Sequence, residues 1–274
     1  MSTRVKFILL FLVCLFLSPR LADSAEHLTG SGCSVSTVGY LVDLAKEYEK
    51  ETGVKVFVRG GGSILGLNDL HAKRVDFAAS CQSKSSADPE DFEFITVAWD
   101  ALVFIVHKSN PVSNIKYADV RNIYEGKITN WKQLGGPDLK IKSFISFSPD
   151  MGGIGESLSK MILDGRRPIK QSNSSMQASS VAIWEQLVEK TPEGFASTGF
   201  ASARKRAVKM LKVNGVTPNK ENIISGVYRL KRPLYIVIER DARPEIRKFV
   251  NFVLSRKGQG IISSYGIPSL TDMK

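Results

Sequence analysis

The chain has 274 residues, 43% of them hydrophobic, and a formal charge of +11. That length suits one large or two modest domains, and the composition buries a substantial core. No internal repeat, low-complexity tract or obvious linker interrupts it. The surplus of cations invites nucleic acid as a partner, yet Arg166-Arg167 and Arg204-Lys205-Arg206 lack interleaved stacking aromatics and read as solvated surface.

Residues 1–25 read as a secretory signal. Arg4 and Lys6 precede an apolar core from Phe7 to Leu17, then come Pro19 and small residues, with cleavage expected after Ser24 or Ala25. The apolar run is shorter than the ~20 residues a membrane span needs. Cys14 makes a poor lipoprotein site, because bulky Val13 precedes it and the apolar run continues past it. Cleavage removes three cations and one anion, taking the charge from +11 to +9. An exported chain is expected, with no later segment able to span a bilayer.

Strand and helix signals then alternate. "HLTGSG" is a short strand running into a small-residue loop, and Ser36 or Thr37 caps a helix carrying Leu41, Leu44, Ala45 and Tyr48 on one face. "VKVFVRGGGS" is a strand with three glycines and Ser63 behind it; residues 64–73 suit a helix and "VDFAAS" a third strand. This repetition predicts parallel strands with right-handed crossovers. "ALVFIVH" (101–107) and "RPLYIVIER" are continuous apolar runs, as strands buried on both faces require. Between them come the helix "KYADVRNIYEG", the turn "LGGPD", the strand "IKSFISF", glycines ahead of the helix in "MGGIGESLSKMIL", and a helical stretch over 173–190 showing Val181, Trp184 and Val188. The last helix presents Ile246, Phe249, Val250 and Val253. If the two long strands are crossovers, residues 26–107 with 232–274 form one lobe and 108–231 the other.

Familiar enzyme chemistry is missing. His27, His71 and His107 are scattered, and there is no HExxH, CxxC, GxGxxG, P-loop or GxSxG pattern. The expectation is a protein that is not an enzyme and needs neither metal nor cofactor. What remains is four small-residue loops after strands: "TGSGCSVST", "GGGS", "SCQS" and "MGGIGES". Three lead into helix N-termini, where free backbone N–H groups and the helix dipole favour an anion. In an open α/β sheet such loops lie at the carboxyl ends of strands, where ligands bind. The plainer reading is ordinary turn and cap chemistry.

The stretches "LTGSGCS", "KEYEKETGVKVFVRGGGSILGLNDLHAKRVDFAAS", "DVRNIYEGKITNWKQLGG" and "VNGVTPNKENIISGVYRLKRPLYIVIE" with "KFVNFVLSRKGQGII" span nearly the whole chain after the signal. In that order they resemble the phosphate-binding proteins of bacterial ABC uptake systems, which are type 2 periplasmic binding proteins. The resemblance implies an α/β fold of two lobes, each a mixed, mostly parallel sheet flanked by helices, with the ligand cleft between them. It also implies a periplasmic monomer that takes phosphate or a related small oxyanion and passes it to an ABC permease in the inner membrane. The ligand set carried over is Cys33, Ser34, Gly62, Ser63, Cys81, Gly152 and Gly153. Cys81 stands where phosphate binders usually carry aspartate or arginine. Ser148 replaces an arginine, and Gly152 and Ile154 replace a serine and a threonine. An arginine clamp supplies charge-assisted bonds worth ~1.5–3 kcal/mol each, so the ligand's identity stays open. The resemblance places the Cys33 and Cys81 loops together at the cleft, which in an oxidising compartment implies a Cys33–Cys81 disulfide. Two alternatives stand beside solute capture: a sensor or interaction protein on the same fold that binds no phosphate, and a thiol–disulfide protein.

Overall fold

A computed structural model describes residues 27–145, 152–168 and 180–273. The signal segment, Cys14, Ser148 and the first part of the helix expected over 173–190 lie outside the described residues. In chain order come β1 (His27–Gly32), a continuous helical run of α1 (Ser34–Ser36), a π-helical turn (Thr37–Leu41) and α2 (Val42–Thr52), then β2 (Lys55–Gly60), α3 (Ser63–His71), β3 (Phe77–Ser80) and β4 (Phe92–His107). Next are β5 (Asn114–Ile115), α4 (Tyr117–Tyr124), a 3-10 turn (Trp131–Leu134), β6 (Lys142–Phe144), α5 (Gly152–Met161), α6 (Val181–Lys190), β7 (Gly194–Gly199) and α7 (Phe200–Ala203). Last are β8 (Val208–Met210), β9 (Lys212–Val213), α8 (Lys220–Ile224), β10 (Lys231–Glu239), α9 (Pro244–Leu254) and α10 (Arg256–Ser264).

One mixed sheet runs through the molecule in the order β2-β1-β3-β10-β4-β7-β6, with β8 also on β4. β1 is parallel to β2 and β3, and β6 is parallel to β7, as strand–helix alternation demands. β10 and β4 run antiparallel to each other and join the two halves. The strand expected at 101–107 is the second part of β4, which spans 16 residues. Its first part pairs with β10 over Phe92–Ala101; its second pairs with β7 on one side and β8 on the other. Ala101 to Val106 are all buried, which explains why that stretch shows no polar alternation.

Each half of the sheet has its own aromatic cluster. On the first side Tyr48 and Phe77 each pack against Phe249 of α9, at 5.2 Å between ring centroids. On the other, Phe195 of β7 stacks on Phe104 of β4 and meets Tyr124 and Trp131 edge-on or tilted. Gly32 ends β1 at φ +134°, and a Cβ there would lie 2.2 Å from the Ala79 carbonyl oxygen, so only glycine lets β1 and β3 turn away side by side.

Where β4 and β10 cross, Arg232 stands opposite Asp100. Arg232 donates from Nε (3.1 Å) and Nη2 (2.8 Å) to Asp100 Oδ2, while Asp100 Oδ1 accepts from the Ala201 amide at 2.9 Å. Both side chains are buried, at 3% and 0% exposure. Removing one partner leaves an uncompensated buried charge, so Arg232→Met is expected to cost about 3–5 kcal/mol of unfolding free energy in urea titration.

The C-terminal tail is pinned by Asp272. Burial alone would raise its carboxyl, but Lys220, the Ser269 amide and hydroxyl, and Ser263 bring it down to about 2. The folded carboxylate therefore holds its proton less tightly than the unfolded one, whose pKa is ~3.9. This tie stabilises the fold above about pH 4 and is lost as pH falls toward 2. Asp272→Asn is expected to lose about 1 kcal/mol at pH 7, after solvent screening, with the deficit shrinking as pH falls through 2 and gone by about pH 1 in the same titration run across pH.

Candidate functional site

Because β1, β2 and β3 are parallel, their carboxyl ends open at one edge of the sheet, and the loops that follow meet there. β1 delivers Cys33 and Ser34, β2 delivers Gly62 and Ser63, and β3 delivers Cys81. From the other half, α5 brings Gly152 and Gly153, and α6 begins at Ser180. The helical run from Ser34, α3, α5 and α6 thus all start at this junction. Four sets of free N–H groups give it a positive character.

Contacts join Ser63, Cys81 and Gly153, and separately Ser34 and Ser180. Cys33 N donates to Ala79 O at 2.7 Å, and its carbonyl accepts from the Thr37 amide and hydroxyl, both at 3.0 Å. The Gly61 and Gly62 amides both donate to Gly32 O at 2.9 Å, so Gly62 shapes the loop and leaves the polar work to Ser63. Ser63 Oγ accepts from Cys81 N at 3.0 Å and lies 3.5 Å from Cys81 Sγ. Gly152 is left-handed (φ +58°), and Gly153 rests on Cys81: a Cβ at 153 would sit 2.3 Å from Cys81 Sγ and 2.8 Å from its carbonyl carbon. Ser34 Oγ reaches across the junction to Ser180 Oγ at 2.6 Å.

Cys33 and Cys81 are brought together as the resemblance implies, but as buried free thiols in hydrogen-bonding contact rather than as a bond. The two sulfurs differ. The Cys33 thiol hydrogen bond, the Arg232 charge and the Ser63 hydroxyl together outweigh burial and pull Cys81 well below an ordinary thiol. Burial, followed by the neighbouring Cys81, pushes Cys33 well up. Cys81 is therefore the sulfur that ionises, and Cys33 is the one that keeps and donates its proton.

Three participants escaped the sequence reading. Ser180 caps α6, its hydroxyl accepting from the Ala182 amide at 3.3 Å, and the cue was a serine directly ahead of the apolar series Val181, Trp184, Val188. Arg232 and Asp100 are the others. Beyond Asp100, Arg232 Nη1 donates to Gly153 O at 3.2 Å, with longer approaches to Ser157 Oγ (3.4 Å) and Cys81 O (3.5 Å). One guanidinium thus braces the floor from both sides. Nothing in the apolar run around it announces that role, because a charged residue inside a buried strand shows its purpose only through its cross-strand partner. Ser148 lies outside the described residues. Among the described residues no group of three or more His, Cys, Asp or Glu is placed to hold a metal ion, and no helix is long and apolar enough to cross a membrane.

A family model described as a PBP superfamily domain matches residues 21–257. The phosphate-binding protein PstS of Borreliella burgdorferi is 29% identical over 251 residues, covering 88% of this chain and 89% of that protein. PstS of Bacillus subtilis is 27% identical, over 92% of this chain and 83% of its own. A solved ABC-type phosphate transport receptor from Vibrio cholerae superposes with a TM-score of 0.66 at 26% identity, covering 89% of this chain and 100% of that one. Fold, matched span and relatives agree: the chain belongs to the PBP superfamily, and among its members it resembles bacterial phosphate-binding proteins.

Proposed function

We propose that this chain is an extracytoplasmic solute-binding protein that holds phosphate or a related small oxyanion between two lobes and delivers it to an ABC permease. The lobes are residues 26–107 with 232–274, and 108–231, hinged where β4 and β10 pass between them. The observation that carries this reading is the convergence of Ser34, Ser63 and Ser180 with four helix starts at one junction, above a buried arginine. Hydroxyls and backbone amides of this kind bind oxyanions through charge-assisted hydrogen bonds. Its relatives named for phosphate binding support the same class of ligand.

The chemistry departs from a clamp built on arginine. Arg232 is saturated by Asp100 and by carbonyls of the floor, so it contributes field rather than a direct bidentate contact. Recognition then rests on the serines, the amides and the shape of the floor. Among the described residues His27, His71 and His107 stand away from the junction, at the start of β1, the end of α3 and the end of β4.

Calorimetric titration of the mature chain with phosphate, arsenate, sulfate, phosphonate and molybdate tests the assignment. Phosphate binding at micromolar Kd or tighter is expected, and binding of another of these anions in its place reassigns the ligand within the same reading. Absence of binding by all five overturns solute capture in favour of a sensor or interaction protein on this fold. Ser63→Ala is expected to weaken binding about ten- to a hundredfold, the cost of one hydrogen bond to a charged group, and also to lower the melting midpoint of the free protein, because the buried Cys81 amide loses its acceptor.

A further inference from the structure

We propose that Cys33 and Cys81 form a reversible disulfide that controls how tightly the cleft takes its anion. The bond is argued from placement alone; its effect on binding rests on the anion reading above.

The placement is set by the sheet. β1 and β3 are adjacent parallel strands with Gly32 opposite Ala79, so Cys33 lies one residue past the paired position and Cys81 two. Neighbouring strands run about 4.8 Å apart, and disulfides require Cα atoms within roughly 4.4–6.8 Å. The Cys33 amide is tied to Ala79 O and the Cys81 amide to Ser63 Oγ, which holds both backbones where the strands leave them. The side chains are 1% and 5% exposed and touch each other. Cys14 lies in the expected signal segment, so in the mature chain no third thiol competes.

The oxidant is a disulfide of small-molecule or protein type. The Cys81 thiolate attacks one sulfur of that disulfide, forming a mixed disulfide and expelling a thiolate. Cys33 then gives up its proton to the expelled thiolate and attacks Cys81 Sγ, expelling the second half as a thiolate. Two protein sulfurs are oxidised, one external disulfide is reduced, and one thiol and one thiolate leave. Gly153 covers Cys81 in the closed junction, so exchange takes place with α5 lifted away.

Reduced and oxidised floors differ in charge. With Cys81 ionised, a negative sulfur lies beneath the anion and cancels the field of Arg232. With the bond made, the sulfurs are neutral and hold no proton, and the arginine acts on the anion without that opposition. A unit charge within several ångströms in a largely buried site changes binding by about tenfold or more.

The experiment compares the mature protein under dithiothreitol and after oxidised glutathione. Free thiols are counted by alkylation under denaturing conditions and mass spectrometry, and phosphate affinity is measured by calorimetry at pH 8. Expected are no free thiols and no glutathione adduct after oxidation, phosphate affinity about tenfold or more higher than in the reduced form, and no redox dependence in the double variant Cys33→Ser/Cys81→Ser. Two free thiols after oxidation, or equal phosphate affinity in the two redox forms, overturns the proposal. If neither form binds phosphate, the same comparison is read with whichever of arsenate, sulfate, phosphonate or molybdate binds; if none of the five binds, the anion reading falls and the control of it falls too, while the thiol count still reports whether the bond forms.

Discussion

The ion pair between Arg232 and Asp100 is the constraint on which the rest of the molecule depends. Two buried charges cost several kcal/mol each to desolvate, and only close pairing with further hydrogen bonds recovers that cost. Antiparallel register puts the two residues directly opposite each other at the place where β4 and β10 connect the halves of the sheet. A hydrophobic pair of similar volume would pack there as well. It would not donate to Gly153 O, nor would Asp100 then hold the start of α7 through the Ala201 amide. The pair therefore does more than stabilise a crossing: it fixes the relation of α5 to the β3 loop, which is the geometry of the cleft floor.

That floor is electrostatically mixed. Helix starts and Arg232 supply positive potential, while Cys81 is held in a state that readily becomes negative. A fixed carboxylate at this position would have the same sign at every pH of interest. A thiol has a sign that depends on its proton and its bonding partner, and Cys33 supplies both the hydrogen bond that lowers Cys81 and the sulfur that can remove its charge altogether.

Most of the architecture was legible in the sequence because its signals are local. "HLTGSG", the alternating valines of 54–58 and the apolar run of 233–239 fall on β1, β2 and β10, and Val181, Trp184 and Val188 lie on α6 as their spacing requires. β7 was not legible. "GFASTG" is small and partly polar, yet all six residues are buried, because α5, α6 and α7 pack against it from within the fold. The beginning of β4 was missed for a related reason: Glu93 and Asp100 break its apolar pattern, and their partners, Arg247 and Arg232, come from more than a hundred residues away. In the site, glycine and serine loops were visible as candidates, but Arg232 and Ser180 become participants only through long-range pairing.

Cys81 and Gly153 are best understood as one contact, in which Gly153 keeps the glycine the resemblance implies and Cys81 is the departure. The sulfur lies where a Cβ at 153 would have to go, so a larger residue at either position forces the two halves apart. An aspartate or arginine at 81, as in the family the chain resembles, needs room that this closed junction does not give. With glycine at 153 and a small side chain at 81, α5 settles directly on the β3 loop, with Ser157 Oγ bonded back to Gly153 O at 2.7 Å and Arg232 clasping the same carbonyl. On the solute-binding proposal, polar recognition falls instead to Ser34, Ser63 and Ser180 around this contact. On that proposal the cleft keeps the hydroxyl half of an oxyanion site and exchanges fixed charges for a pair of thiols whose charge can change.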